Sequence, residues 1–126
     1  MGLIYADIEL ANQKNGSLKS ITVNALVDTG AMTLCIPEHI AIQLQLQEIE
    51  KREVTTADER RHVVPYVGPV QIQFANRTCF TGALVIRESV LMGAVPMEDM
   101  DLVVSPSGQT VTVNPNSPNI PSAVVK

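Results

Sequence analysis

Asp28-Thr29-Gly30-Ala31 is the segment of this chain best suited to chemistry. It follows the apolar run Ala25-Leu26-Val27, so a carboxylate stands where a buried strand ends. Such a group can serve as a general acid or base. Thr29 adds a hydroxyl, Gly30 lets backbone approach closely, and Ala31 takes up little room beside a bound molecule. The tripeptide alone fits an ordinary strand ending in a turn better, since Asp and Gly are expected there. A second apolar stretch, Val90-Leu91-Met92-Gly93, also stops at a glycine and is followed by Pro96-Met97-Glu98-Asp99-Met100.

Other reactive side chains are scattered. His39 falls in a predicted helix and His62 beside a polar turn, and neither lies near a Ser or Cys in a catalytic motif. With Cys35 and Cys79 they show no zinc spacing, so no metal and no cofactor are expected. The two cysteines make no disulfide framework and read as small buried apolar residues. Glu48 to Glu53 is a mixed charge run that reads as a solvated face. Glu98 and Asp99 suit the positive end of a helix better than catalysis.

The elements that must position Asp28 follow from periodicity. Ile4, Ala6, Ile8 and Leu10 alternate with polar residues, Asn15-Gly16 marks a turn, and Ile21, Val23, Ala25 and Val27 resume the alternation. This predicts a hairpin whose second strand runs into Asp28. Pro37-Glu38 begins a short helix carrying Ile40, Ala41 and Leu44. Lys51 to Thr56 and His62 to Val67 are predicted strands around the polar turn Ala57-Asp58-Glu59-Arg60-Arg61. Val70 to Phe74 is a further strand, Asn76-Arg77 a turn, and Thr78 to Ile86 another strand. Pro96 to Met100 is expected as one helical turn. Leu102 to Val104 and Val111 to Val113 form a hairpin around Pro106-Ser107-Gly108. From Asn114 the chain is rich in Pro, Asn and Ser, which predicts a loosely held, extended tail.

Composition agrees with this mostly β reading. The chain has 126 residues, room for one domain, with 45% apolar residues, two Phe, two Tyr and no Trp. Its core is therefore aliphatic. A net charge of −4, with Arg60-Arg61 the densest basic pair, argues against nucleic acid as a partner. No apolar run is long enough to span a bilayer, and Asp7 and Glu9 are out of place in a signal peptide. The expectation is no membrane partner and a cytoplasmic location.

Taken together, "ALVDTGAMT" and "VLMGAVPMEDMDLVV" resemble the clan AA aspartic peptidases, specifically the single-domain retropepsin-like group. Asp28 and Gly93 are 65 residues apart, much as that family spaces its two motifs. The resemblance spans roughly Tyr5 to Val113. It implies a single-lobe closed β-barrel with one or two short helices, occupying residues 1–113, and a tail over 114–126. It implies an aspartic endopeptidase with Asp28 as the catalytic carboxylate. Thr29 matches the residue whose hydroxyl ties two active-site loops together, Gly30 and Ala31 line the cleft, and Leu91, Met92 and Gly93 match the strand that supports the loop. The turn Ala57-Asp58-Glu59-Arg60 falls where a substrate-covering flap has its tip, although it holds no glycine.

Such enzymes activate water between two carboxylates that share a proton. This chain has five Asp, and only Asp28 precedes Thr-Gly. A homodimer is therefore implied, with a peptide or protein as substrate. Retroviral members carry Asp after the motif alanine and Arg after the second-motif glycine. Here those positions are Met32 and Ala94, so both halves of that ion pair are replaced together. Related domains also act as dimerisation or binding modules with little or no cleavage, and that alternative stands beside the peptidase.

Overall fold

A computed structural model describes residues 3–105 and 107–126. Its first strand, β1 (Tyr5–Asn12), alternates exposed and buried positions and pairs antiparallel with β2 (Ile21–Val27). The period of two puts Ala6, Ile8 and Leu10 inside. After β2 come β3 (Leu34–Ile36) and α1 (Glu38–Gln43). The hairpin β4 (Gln47–Thr55) and β5 (Arg61–Phe74) follows, then β6 (Arg77–Val85). The chain continues through β7 (Leu91–Met92), α2 (Ala94–Asp99), β8 (Leu102–Ser105) and β9 (Thr110–Val113).

Strands β1 to β7 form one sheet in the order β1-β2-β7-β3-β6-β5-β4, with an extra β1–β5 pairing that closes six of these seven into a ring. Only β4 is left outside the ring, bonded to β5 along one edge. The ring encloses an aliphatic core that includes Ile8, Leu10, Leu34, Ile36, Val70, Ile72 and Met92, each 1% exposed or less. Met97 of α2 and Met100 just after it belong to the same core. This is the mostly β, two-helix class that the sequence implied. The β8–β9 hairpin pairs as expected, although Pro106 in its turn lies outside the described residues.

The two strands expected at 62–67 and 70–74 are one strand. β5 runs through Gly68 and Pro69, where its register against β6 shifts. Proline lacks the ladder N–H, so it is tolerated in a strand where the pairing is irregular. The shift lets β5 change partners: its first half pairs with β4 and its second with β1. Beside it, Tyr66 covers Gly82 so closely that a Cβ there would fall 2.1 Å from the ring. The Arg52 guanidinium lies over that ring, 3.6 Å from its centroid.

Three local expectations are corrected. Helix α2 starts at Ala94, two residues earlier than predicted, because Pro96 fits within a first turn whose N–H groups have no helical partner. Glu98 and Asp99 therefore sit at its C-terminal end, not its positive end. Arg77 is the first residue of β6 and only 1% exposed, not part of a turn; Ala75, with φ 52°, makes the bend instead.

The tail is also more firmly held than its composition suggested. Asn76 Nδ2 donates to the carbonyl of Pro118 at 3.0 Å. Arg77 Nε donates to Met100 O at 3.0 Å, and its Nη2 donates to Ser117 O. Asp101 accepts from the Ser117 hydroxyl, from Asn114 Nδ2 at 3.0 Å and from the Ser122 N–H at 2.9 Å.

Candidate active site

Strand β7 lies between β2, which it joins in parallel, and β3, which it joins antiparallel. The loop from Asp28 to Thr33 connects these two neighbours and so must pass over the end of β7. The Asp28 N–H donates to Met92 O at 3.1 Å, extending the β2–β7 ladder by one bond. The loop is then fastened by the start of α2. Gly93, Ala94 and Val95 donate their N–H groups to the carbonyls of Thr33, Ala31 and Met32 at 3.0, 2.8 and 2.8 Å. Donors free at a helix start thus hold the loop that carries the carboxylate. Gly93 is required by this closeness, since a Cβ would lie 2.6 Å from Thr33 O and 2.7 Å from Ala31 O.

Asp28 itself folds back on the loop: its Oδ1 accepts the Gly30 N–H at 2.9 Å. Although Asp28 follows the apolar run Ala25-Leu26-Val27, Asp28, Thr29 and Gly30 are exposed in the single chain, so one chain alone does not place the carboxylate in an apolar setting. Among the described residues, no cation lies within ion-pair distance of it.

A cleft of about 680 Å³ opens beside Asp28. Gly30, Ala31 and Leu91 belong to its Asp28 side, and Val54, Thr55, Thr56 and Ala57 of the β4–β5 hairpin line it as well. Met92 and Gly93 stand behind the loop, with Met92 wholly buried. Of the four turn residues singled out in the sequence, Ala57 lines the cleft. Asp58 lines a second, shallower recess with His62 and Val63. Glu59 and Arg60 are exposed and line neither.

The tip is tightly tied. Thr56 N donates to Arg60 O at 3.0 Å, Glu59 N to Thr56 O at 2.9 Å, and Arg60 N to Asp58 Oδ1 at 3.2 Å. The hydrogen bond from the Thr56 hydroxyl, 2.5 Å long, and that from Arg60 N hold the Asp58 carboxyl below its ordinary pKa. Glu59 has φ 66°, the left-handed conformation that glycine adopts without cost. Glu59→Gly should therefore stabilise the hairpin by a few tenths to about 1 kcal/mol, seen as slower amide exchange at the tip. A faster-exchanging tip would show that the Glu59 backbone carries no such cost.

Several cleft residues were not singled out by the sequence: Thr33, Leu84, Ile86 and Arg87. Met32 is 76% exposed at the rim. Cys35 also faces the cleft, and burial raises its thiol pKa, an effect partly offset by the nearby Arg87 cation. Cys79 lies in the core, where burial pushes its thiol up to about 12. Both cysteines are free. No group of three or more His, Cys, Asp or Glu side chains converges among the described residues. Among the described residues, no helix is long and apolar enough to cross a membrane.

This ring of strands, with its Asp-Thr-Gly loop tied to a second glycine-ended strand, is the retropepsin-like aspartic peptidase fold. A family model described as aspartyl protease matches residues 14–69, which include the Asp28 loop and most of the β4–β5 hairpin. The chain is similar to the retroviral protease-like domain of Ddi1 from Leishmania major, at 13% identity and a TM-score of 0.60, over 91% of this chain and 90% of that one. It also matches a simian foamy virus (mac) protease, at 18% identity and a TM-score of 0.44, over 73% of this chain and 93% of that one. A third match is Lpg0085, a protein of unknown function from Legionella pneumophila subsp. pneumophila str. Philadelphia 1. It has 17% identity and a TM-score of 0.46, over 85% of this chain and 95% of that one. Among curated proteins, none matches the chain in sequence.

Proposed function

We propose that the protein is an aspartic endopeptidase that works as a homodimer, with one Asp28 from each copy. The observation that carries this reading is the cleft in which the Asp28 loop and the flap-like hairpin share one lining. Asp28 has no cation beside it, and its exposed side is free to meet the same residue of a second copy. Two carboxylates about 3 Å apart cannot both ionise, so one holds a proton while the other accepts one from water. The activated water attacks the scissile carbonyl, and the protonated partner donates to it. Thr29 is proposed to tie the two loops together. Ala57 to Arg60 is proposed to form the tip of a flap, with Ala57 nearest the substrate. Residues 1–113 are read as the peptidase domain and 114–126 as a tail packed on it. Two free thiols fit a reducing, cytoplasmic compartment.

Incubating the purified protein with a diverse peptide library between acidic and neutral pH, with and without a statine-type inhibitor, tests the reading. Inhibitor-sensitive cleavage supports it. Specific activity is expected to fall on dilution below the dimer dissociation constant. A sedimenting monomer that still cleaves peptides would refute the shared site.

The pH profile is expected to be bell-shaped, with its optimum on the acid side of neutral. The working pair carries one proton, so the rate falls when it gains a second or loses its only one. A profile measured well above the dimer dissociation constant removes the effect of dissociation. Activity rising steadily from about pH 6 to pH 9, outside the range of a carboxylate pair, would point to another mechanism.

One observation favours a second reading, a peptide-binding module that does not cut. The cleft is already formed in a single chain. Stoichiometric peptide binding by a monomer without turnover would select it.

A further inference from the structure

We propose that Arg87 is a specificity-determining residue that selects substrates with an acidic side chain close to the scissile bond. The inference rests on the peptidase reading and names the substrate class for the same cleft.

Arg87 lines both depressions that border the flap tip: the cleft containing Asp28, and the recess formed with Asp58 and His62. A chain passing from the cleft into the recess beside the hairpin therefore passes Arg87. The cleft is otherwise largely apolar, with Met32, Val54, Leu84, Ile86 and Leu91 on its walls. Among the described residues that line it, Asp28 is the only carboxylate and Arg87 the only cation. Among the described residues, Arg87 makes no ion pair with a carboxylate. Arg87 also lies near enough to Cys35, another residue of the cleft lining, for its charge to offset part of the effect of burial on that thiol.

The backbone gives an independent sign. Arg87 has φ 82°, an energetically costly conformation for a side chain other than glycine. The preceding residue is fixed, since Ile86 N donates to Ile36 O at 3.0 Å. A long cation is thus held at the cleft in a strained backbone that glycine would occupy freely. An arginine fork meets a carboxylate through paired hydrogen bonds. The substrate read by this surface is an apolar peptide with a Glu or Asp among its aliphatic residues.

The test uses peptides selected from a diverse library, remade in pairs that differ only by Glu or Gln. Wild type should cleave the Glu member with kcat/KM about tenfold higher, the size of one charge-assisted hydrogen bond. Arg87→Met should bring the ratio near one, Arg87→Glu should invert it, and Arg87→Lys should restore part of it. The same pairs are then titrated against Asp28→Asn protein, whose binding does not depend on turnover. Binding that favours Glu without cleavage by wild type would overturn the peptidase reading and keep the role of Arg87. Cleavage with equal rates for both members, or a ratio unchanged in Arg87→Met, would overturn the role of Arg87 and keep the peptidase. A library from which neither protein selects any peptide would overturn both.

Discussion

Asp28→Asn is expected to lower kcat/KM for peptide hydrolysis by roughly 10³-fold or more, the range spanned by loss of a general acid–base group. The fold should not change. Asp28 lies in an exposed loop, and its one recorded side-chain bond, accepted from Gly30 N, can also be accepted by an amide oxygen. Far-ultraviolet circular dichroism and thermal unfolding should match wild type. The amide cannot take a proton from water, so a dimer with one substituted copy loses its pair. Mixing excess Asp28→Asn protein with wild type should therefore depress activity by forming dead mixed dimers. Turnover comparable to wild type in the pure variant would show that the carboxylate is not the catalyst.

Arg77→Met should cost about 3–5 kcal/mol of folding stability, the range for removing one partner of a buried ion pair. Arg77 is 1% exposed and holds two separate pieces of chain to β6: the turn Met100-Asp101 after α2, and the tail at Ser117. The thioether replaces the bulk of the side chain but none of its donors. The buried Met100 carbonyl and the half-buried Ser117 carbonyl then lose the donors they had in Arg77. Amide exchange across residues 114–122 should quicken more than exchange in β1 and β2. A loss below about 1 kcal/mol, typical of an exposed pair, would mean that Arg77 acts only as filler.

The same network predicts how stability depends on acid. The Ser117 hydroxyl first, then Asn114, the Ser122 N–H and the Arg77 cation, hold the Asp101 pKa down to about 2 from an ordinary 3.8. A carboxyl with a lowered folded-state pKa binds its proton more readily in the unfolded chain. Its contribution is therefore full above about pH 3.8 and is lost as pH falls towards 2. Asp101→Asn should flatten that part of the stability profile.

The sequence was most legible where neighbouring residues decide structure. Strand β2 reads directly from Ile21, Val23, Ala25 and Val27, and the loop after it from Asp28-Thr29-Gly30. Gly93 was marked as the end of a strand, although only the folded chain shows three loop residues packed against it. The joined β5 was hidden by Gly68-Pro69, a pair that locally reads as a break. Arg77 looked like a turn residue because its partners, Met100 and Ser117, are distant in sequence. Leu84, Ile86 and Arg87 reach the cleft because β6 pairs with β3 and β5, which no local pattern reveals.

Closing six strands into a ring leaves β4 with an open row of backbone donors and acceptors. An uncovered edge of this kind is a template on which other chains can add strands and aggregate. Strand β4 reads Gln47-Glu48-Ile49-Glu50-Lys51-Arg52-Glu53-Val54-Thr55, and most of it is exposed. Its charges pair within the hairpin: Lys51 Nζ with Glu48 at 2.9 Å, Arg52 Nε with Glu50 at 2.8 Å, and Arg61 of β5 with Glu53 at 3.8 Å. Such pairs add little to stability at the surface. Their effect here is on solubility. A foreign strand docking on β4 would have to strip water from this row of charges, so the hairpin can stay free at its edge without becoming a seed for self-association.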